Sequence, residues 1–192
     1  MRCHSEFEGL VFDCDGTLAD SMPVHWEAWQ KVTAKHGLVF PEERFYALGG
    51  VPSRHIFKML GEEQGVEVDP LAASKMKEDL YLEHLHLVQP VHEVVSIARE
   101  YHGKIPMSIA TGGTRSVITV LLKALEIDHL FDALVTSEDV DNQKPAPDIF
   151  LKAASKIGID PTKCRGFEDT DLGMQAIRSA GMDALDVRLI RK

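Results

Sequence analysis

Cysteine is scarce in this chain of 192 residues: Cys3, Cys14 and Cys164 share no paired spacing and form no Cys-x-x-Cys. That excludes a disulfide framework and a structural zinc site, and a reducing cytoplasm is the expected setting. Basic charge is also short, with Lys and Arg numbering 21 against 30 Asp and Glu, a formal net charge of −9. So acidic a balance disfavours both a nucleic-acid backbone and an anionic membrane as partner. It leaves room for a small phosphorylated metabolite, because one metal ion and one Lys reverse the field locally. No apolar run reaches membrane-spanning length, and Glu6 and Glu8 precede the first apolar run where a secretory leader would be basic. A soluble, unprocessed protein is expected. Internal repeats and low-complexity tracts are missing, and His84 and His86 lack the spacing of metal ligands, so they read as a solvated helix face.

What is present centres on Asp13-Cys14-Asp15-Gly16-Thr17-Leu18. The apolar Leu10, Val11 and Phe12 before it suit a buried strand, which places the acids at the strand's C-terminal end. Side chains two apart share a face of an extended chain, so Asp13 and Asp15 can converge while Cys14 points away to pack against the sheet. Gly16 allows the turn that follows. Carboxylates so close repel unless a proton or a cation sits between them, and Mg²⁺, a hard cation that prefers carboxylate oxygen, fits. The plain alternative is an Asp-Gly turn at a strand end.

Beyond this stretch, Pro23 suits a first helical turn, and Val24, Ala28, Trp29 and Val32 recur at helical spacing over 24–36. Pro41, Gly49-Gly50 and Pro52 punctuate the next segment, and helical patterns follow over 53–64 and 70–87. No strand is expected between 20 and 88. Residues 20–87 therefore read as a helical cap joined by two hinges to a core made of 1–19 and 88–192. From Pro90 onward helices alternate with short apolar runs: Ile105–Ala110, Ala133–Thr136, Cys164–Phe167 and Ala184–Val187. Thr114 is placed to cap the helix that carries Val117, Leu121 and Leu125. This alternation predicts an α/β protein, a Rossmann-like doubly wound parallel sheet with the helical cap inserted after the first strand.

Ligands of such sheets collect at the C-terminal strand ends, and the remaining polar candidates all follow a predicted strand. Thr111, Gly112 and Gly113 offer a hydroxyl and free N–H groups to an anion, or form an ordinary glycine turn. Lys144, held before Pro145-Ala146-Pro147, is either a fixed ammonium or a surface Lys. Glu168 and Asp169 either complement a helix dipole or share a divalent cation with Asp13 and Asp15.

Taken together, Asp13 to Leu18, Thr111, Lys144 with its Pro-Ala-Pro-Asp, and Glu168-Asp169 followed by Gly173 resemble the four motifs of the haloacid dehalogenase-like hydrolase superfamily. The insertion resembles the cap of its beta-phosphoglucomutase-like group, and the short chain ending Asp-Ala-Leu-Asp-Val-Arg-Leu is most similar to the small fructose-1-phosphate phosphatase type. The resemblance implies that Asp13 is a nucleophile and Asp15 a general acid and base whose pKa its surroundings raise. It also implies that Thr111, Gly112 and Lys144 hold the phosphoryl oxygens, and that Mg²⁺ is bound by Asp13, the Asp15 carbonyl, Glu168 and Asp169. Asp15 itself argues for phosphate chemistry, since the dehalogenase branch replaces it. In the cap, His25 and Trp29 match positions that approach the active site, with Trp29 packing behind His25, and Gly49-Gly50-Val51 resembles the cap loop that closes over substrate, with Arg54 expected near it; His25, Gly50 and Arg54 are the implied substrate-binding residues. The implied activity is hydrolysis of a small sugar phosphate such as fructose 1-phosphate. The alternatives are a beta-phosphoglucomutase, weakened because Gly49 stands where mutases carry Lys, and a non-catalytic phosphometabolite-binding protein. The modest cap and the lack of a long apolar face favour a monomer.

Overall fold

Alternating short apolar runs and amphipathic helices produce, in the computed structural model, a parallel sheet wound on both faces; residues 6–191 are described, so Cys3 lies outside them. In chain order the elements are β1 (Gly9–Phe12), β2 (Ala19–Asp20), α1 (Met22–Lys35), α2 (Glu42–Ala47), α3 (Ser53–Gln64), α4 (Pro70–Glu83) and β3 (Gln89–Pro90). They continue with α5 (His92–Tyr101), β4 (Met107–Ala110), α6 (Arg115–Ala124), β5 (Ala133–Val135), α7 (Asp148–Lys156), β6 (Cys164–Glu168), α8 (Asp171–Ser179) and β7 (Asp183–Asp186). The sheet order is β5-β4-β1-β6-β7, and each adjacent pair runs parallel.

β1 is central, with Phe12 level with Ile109 of β4 and Phe167 of β6. Its side chains alternate between two cores: Leu10 and Phe12 join residues of α5 and α6, whereas Val11 joins Ile149, Phe150 and Ala153 of α7 and Ile177 of α8. Cover on both faces explains why β1, β4 and β6 are buried from end to end, β1 with no polar side chain, β4 with only Ser108, and β6 with Arg165 and Glu168 inside the same cover. The chain leaves β1 toward β4 on one side and reaches β6 on the other, so the C-terminal ends of these three strands border one crevice.

The helices between β2 and β3 carry a third core, built from Trp29, Val32, Phe40, Phe45, Phe57 and Leu60. Trp29 stacks on Phe57 with centroids 4.4 Å apart. β2 and β3 pair antiparallel, Ala19 with Pro90 and Asp20 with Gln89, where this helical segment leaves and rejoins the sheet.

Several details differ from the sequence reading. β2 and β3, two residues each, are too short to show alternation. The six-residue α2 is shorter than two turns, so helical periodicity cannot reveal it. The helix expected to reach 87 stops at Glu83, where the His84 ring nitrogen Nδ1 meets the Leu80 carbonyl at 2.9 Å and a 3₁₀ turn, Leu85–Leu87, follows. Thr114 does occupy the N-cap of α6, but its hydroxyl caps nothing. The Arg115 N–H instead donates to the Glu138 carboxylate at 2.6 Å.

Candidate active site

The site grows out of the strand ends. Asp13 follows β1, and its N–H still donates to the Phe167 carbonyl of β6 at 3.0 Å, extending the ladder one residue past the strand. That pairing sets its carboxylate beside Glu168, the last residue of β6, and Asp169. One oxygen from each of Asp13, Glu168 and Asp169 lies within 4.8 Å of the other two. The loop after Asp13 closes over Asp169 because Gly16, at φ +86°, has no side chain; a Cβ there would lie 2.1 Å from the Asp169 Oδ2. Thr17 then donates to Asp169 Oδ1 at 3.0 Å.

Lys144 is the cation of this cluster. Its Nζ donates to Asp13 Oδ1 and to Glu168 Oε2, both at 2.7 Å, and it is only 4% exposed. The bonds hold the ammonium well above its ordinary pKa against the opposing effect of burial. Glu168 also accepts from the Asp169 and Thr170 N–H groups and the Thr170 hydroxyl, which fixes its plane. Even so, one ammonium does not neutralise three carboxylates. Burial, then repulsion from Glu168, push Asp13 well above the usual carboxylate range despite Lys144. The same two causes, in the same order, lift Asp169 to about 7.

This donor set fits Mg²⁺: all three ligands are carboxylate oxygens, and the charge excess calls for a divalent ion.

Asp15 departs from the expectation in two ways. Its carboxylate turns from the acid cluster toward the helical segment, where the Ser21 hydroxyl donates to Oδ1 at 2.6 Å and His25 Nε2 lies 3.1 Å from the same oxygen. Its pKa is not raised: burial alone would lift it, but His25, Ser21 and Lys77 outweigh that and hold it at about 2. Behind it, His25 Nδ1 lies 2.8 Å from Lys77 Nζ. Burial, then the Lys77 charge, keep His25 below its usual pKa, and burial brings Lys77 down to about 8 despite Asp15. Asp15, His25 and Lys77 thus form a chain of contacts from the loop after β1 through α1 to α4.

Thr111 and Gly112 follow β4 and line a cavity of about 570 Å³, together with Asp13, Asp15, His25, Gly50 and Arg54. Two glycines let the helical segment sit directly on this loop. A Cβ on Gly112 would lie 2.1 Å from the Gly50 carbonyl oxygen, and one on Gly50, at φ +81°, would lie 3.1 Å from Lys144 Cδ. Gly50, Gly112 and Lys144, far apart in sequence, therefore meet at one point. Arg54 stands on the cavity wall apart from the acid cluster, its nearest polar partner being His55. Trp29 lines the cavity too, besides its place in the third core. Cys14 is fully buried in the first core.

Sequence reading missed Lys77, Ser21 and Thr17. Lys77 carried a signal: it falls on the stripe of α4 that includes Ala73 and Tyr81, so helical spacing places a charge on a buried face. Ser21 and Thr17 carried none beyond lying close to Asp15.

Comparison with known proteins agrees with this geometry. The family profile described as haloacid dehalogenase-like hydrolase matches residues 10–187. The chain is 39% identical over 188 residues to the fructose-1-phosphate phosphatase YqaB of Escherichia coli (strain K12), covering 97% of this chain and 100% of that one. It is 28% identical to the phosphorylated carbohydrates phosphatase of Thermotoga maritima, covering 93% of this chain and 83% of the relative. Among solved structures, the beta-phosphoglucomutase of Clostridium difficile superposes with a TM-score of 0.84 at 24% identity, covering 94% of this chain and 84% of that one, and shares the fold. With the profile spanning nearly the whole chain and the acids, Lys144 and Thr111 gathered at the ends of three neighbouring strands, this chain belongs to the haloacid dehalogenase-like hydrolase family.

Proposed function

We propose that the protein is a Mg²⁺-dependent phosphatase that hydrolyses a small sugar phosphate, fructose 1-phosphate or a close relative, through an aspartyl-phosphate on Asp13. The observation that carries this reading is the buried group of Asp13, Glu168, Asp169 and Lys144, of which Asp13 faces a cavity of about 570 Å³, room for a sugar phosphate. Likeness to YqaB over the full length of both chains supports the substrate class.

In this reading Asp13, Glu168, Asp169 and the Asp15 carbonyl would hold Mg²⁺. The ion supplies positive charge that offsets the transferring phosphoryl oxygens. Lys144, the Thr111 hydroxyl and the Gly112 N–H bind those oxygens and orient the phosphorus toward Asp13. An Asp13 oxygen attacks phosphorus as the bond to the sugar oxygen breaks, and Asp15 gives the leaving oxygen a proton. Water then attacks phosphorus, passes its proton to Asp15 and frees the Asp13 carboxylate. Its low pKa keeps Asp15 ionised and therefore free to take this proton in the second step. The first step needs it protonated, and the dianionic phosphate arriving beside it is the charge that raises its affinity for a proton.

Gly49 and Gly50, which bring no charge to the cavity, favour hydrolysis over mutase chemistry, because a mutase must retain a second phosphate. Purified protein with fructose 1-phosphate and Mg²⁺ should release phosphate, and the release should vanish with a chelator and in Asp13→Asn. Conversion of beta-glucose 1-phosphate to glucose 6-phosphate without net phosphate release would make it a mutase. Binding of sugar phosphates with no turnover would make it a binding protein.

A further inference from the structure

His25 has a partner at each edge nitrogen, Asp15 and Lys77, and an imidazole can serve both only while its ring plane is fixed. Rotation of that ring about its last torsion is soft, so edge contacts alone leave the plane poorly defined. Its face is covered by Tyr81: the centroids lie 3.8 Å apart and the planes are 18° from parallel. Tyr81 and Lys77 are four residues apart on α4, so one helix supplies both the face contact and an edge contact. The Lys77 ammonium in turn lies 5.7 Å from the Tyr81 ring centroid.

Tyr81 is fully buried, and among the described residues its hydroxyl, near Ser21, makes no hydrogen bond of normal geometry. A hydroxyl so weakly held does not explain the residue's place. The ring's contacts with His25 and Lys77 do.

We propose that Tyr81 is a positioning residue whose ring, stacked on His25, holds the imidazole in the plane that joins Asp15 to Lys77 and so readies Asp15 to move a proton. The proposal rests on the phosphatase reading above. It is read in the phosphorylation of Asp13, where a poor leaving group, a sugar alkoxide, needs that proton and p-nitrophenolate leaves without one; the later attack of water passes its proton to Asp15 whichever ester was used.

The test compares Tyr81→Phe, which keeps the ring, with Tyr81→Leu and Tyr81→Met, which remove it, on fructose 1-phosphate and p-nitrophenyl phosphate with Mg²⁺. Losing part of the worth of acid–base catalysis, the Leu and Met variants should drop about tenfold to a hundredfold in the single-turnover rate of Asp13 phosphorylation by the sugar phosphate. Their KM should stay within about twofold, with single-turnover phosphorylation by p-nitrophenyl phosphate slowed less than about threefold. Tyr81→Phe should restore most of the sugar phosphate rate. In a His25→Asn background, Tyr81→Leu should add little further loss, the non-additivity expected when one residue acts through another. Equal losses on the two substrates, a Phe variant as impaired as Leu, or additive losses with His25→Asn would overturn the proposal. A parent protein that hydrolyses neither ester would instead overturn the phosphatase reading.

Discussion

Asp13 and Asp15 are two residues apart and sit in opposite electrostatic settings. Asp13 shares its surroundings with two further carboxylates and is pushed up, whereas Asp15 faces His25, Ser21 and Lys77 and is held at about 2. The difference suits the roles proposed for them: a cation would relieve the repulsion at Asp13, and Asp15 is ionised and free to accept a proton. Removing the His25 donor in His25→Asn should let the Asp15 pKa climb. The acid limb of the kcat pH profile should then move to higher pH by about one unit, the size of a single lost charge-assisted contact. An acid limb that stays put or moves down would mean that His25 does not set the Asp15 charge. Most of these residues were legible in sequence for one reason: Asp13, Thr111 and Glu168 stand at the ends of apolar runs, and strand ends are where α/β sheets bind ligands. The direction in which the Asp15 carboxylate points was not, because it depends on α1 folding back over the loop and bringing Ser21 and His25 to it.

At the scale of elements, the site is closed by a contact between two loops. Gly50, before α3, rests its carbonyl where a Cβ of Gly112, after β4, would be. A backbone atom cannot swing aside as a side-chain end can, so Gly112→Ala should force the helical segment off the phosphate loop. Displacement of about 1 Å at a reacting centre costs on the order of a hundredfold, and kcat/KM should fall by about that much while the far-UV circular dichroism stays unchanged. An Ala variant of parental kcat/KM would show that the two loops need not touch during turnover. The glycines were visible in sequence, but their meeting was not, since no local pattern records that residues 50 and 112 approach each other. The same holds for β2 and β3, whose pairing across 19–90 is set by tertiary contact rather than by any alternation of their own. The central strands, buried on both faces, announced themselves.

For the whole molecule, the acid cluster is a cost to folding that a cation relieves. Asp13 and Asp169 both have folded pKa values raised above 3.8, Asp169 to about 7, so between those limits the folded state binds protons that the unfolded chain does not. Without metal, the contribution of Asp169 to stability is complete below about 3.8 and is lost as pH rises through about 7, and that of Asp13 is likewise lost as pH rises through its own raised pKa. Mg²⁺ takes the place of those protons and binds the folded state, so it should raise Tm more at pH 8 than at pH 5.5. Thermal unfolding at both pH values, with Mg²⁺ and with a chelator, measures this; an equal or larger gain at pH 5.5 would contradict it.

The account stands or falls on Asp13 receiving the phosphoryl group, and mass spectrometry of protein quenched in acid during turnover tests that most directly. With fructose 1-phosphate and Mg²⁺, the peptide containing Asp13 should carry the added mass of one phosphoryl group, located on Asp13 and absent when a chelator is present. A phosphoryl group on any other residue, or steady phosphate release by Asp13→Asn, would contradict it.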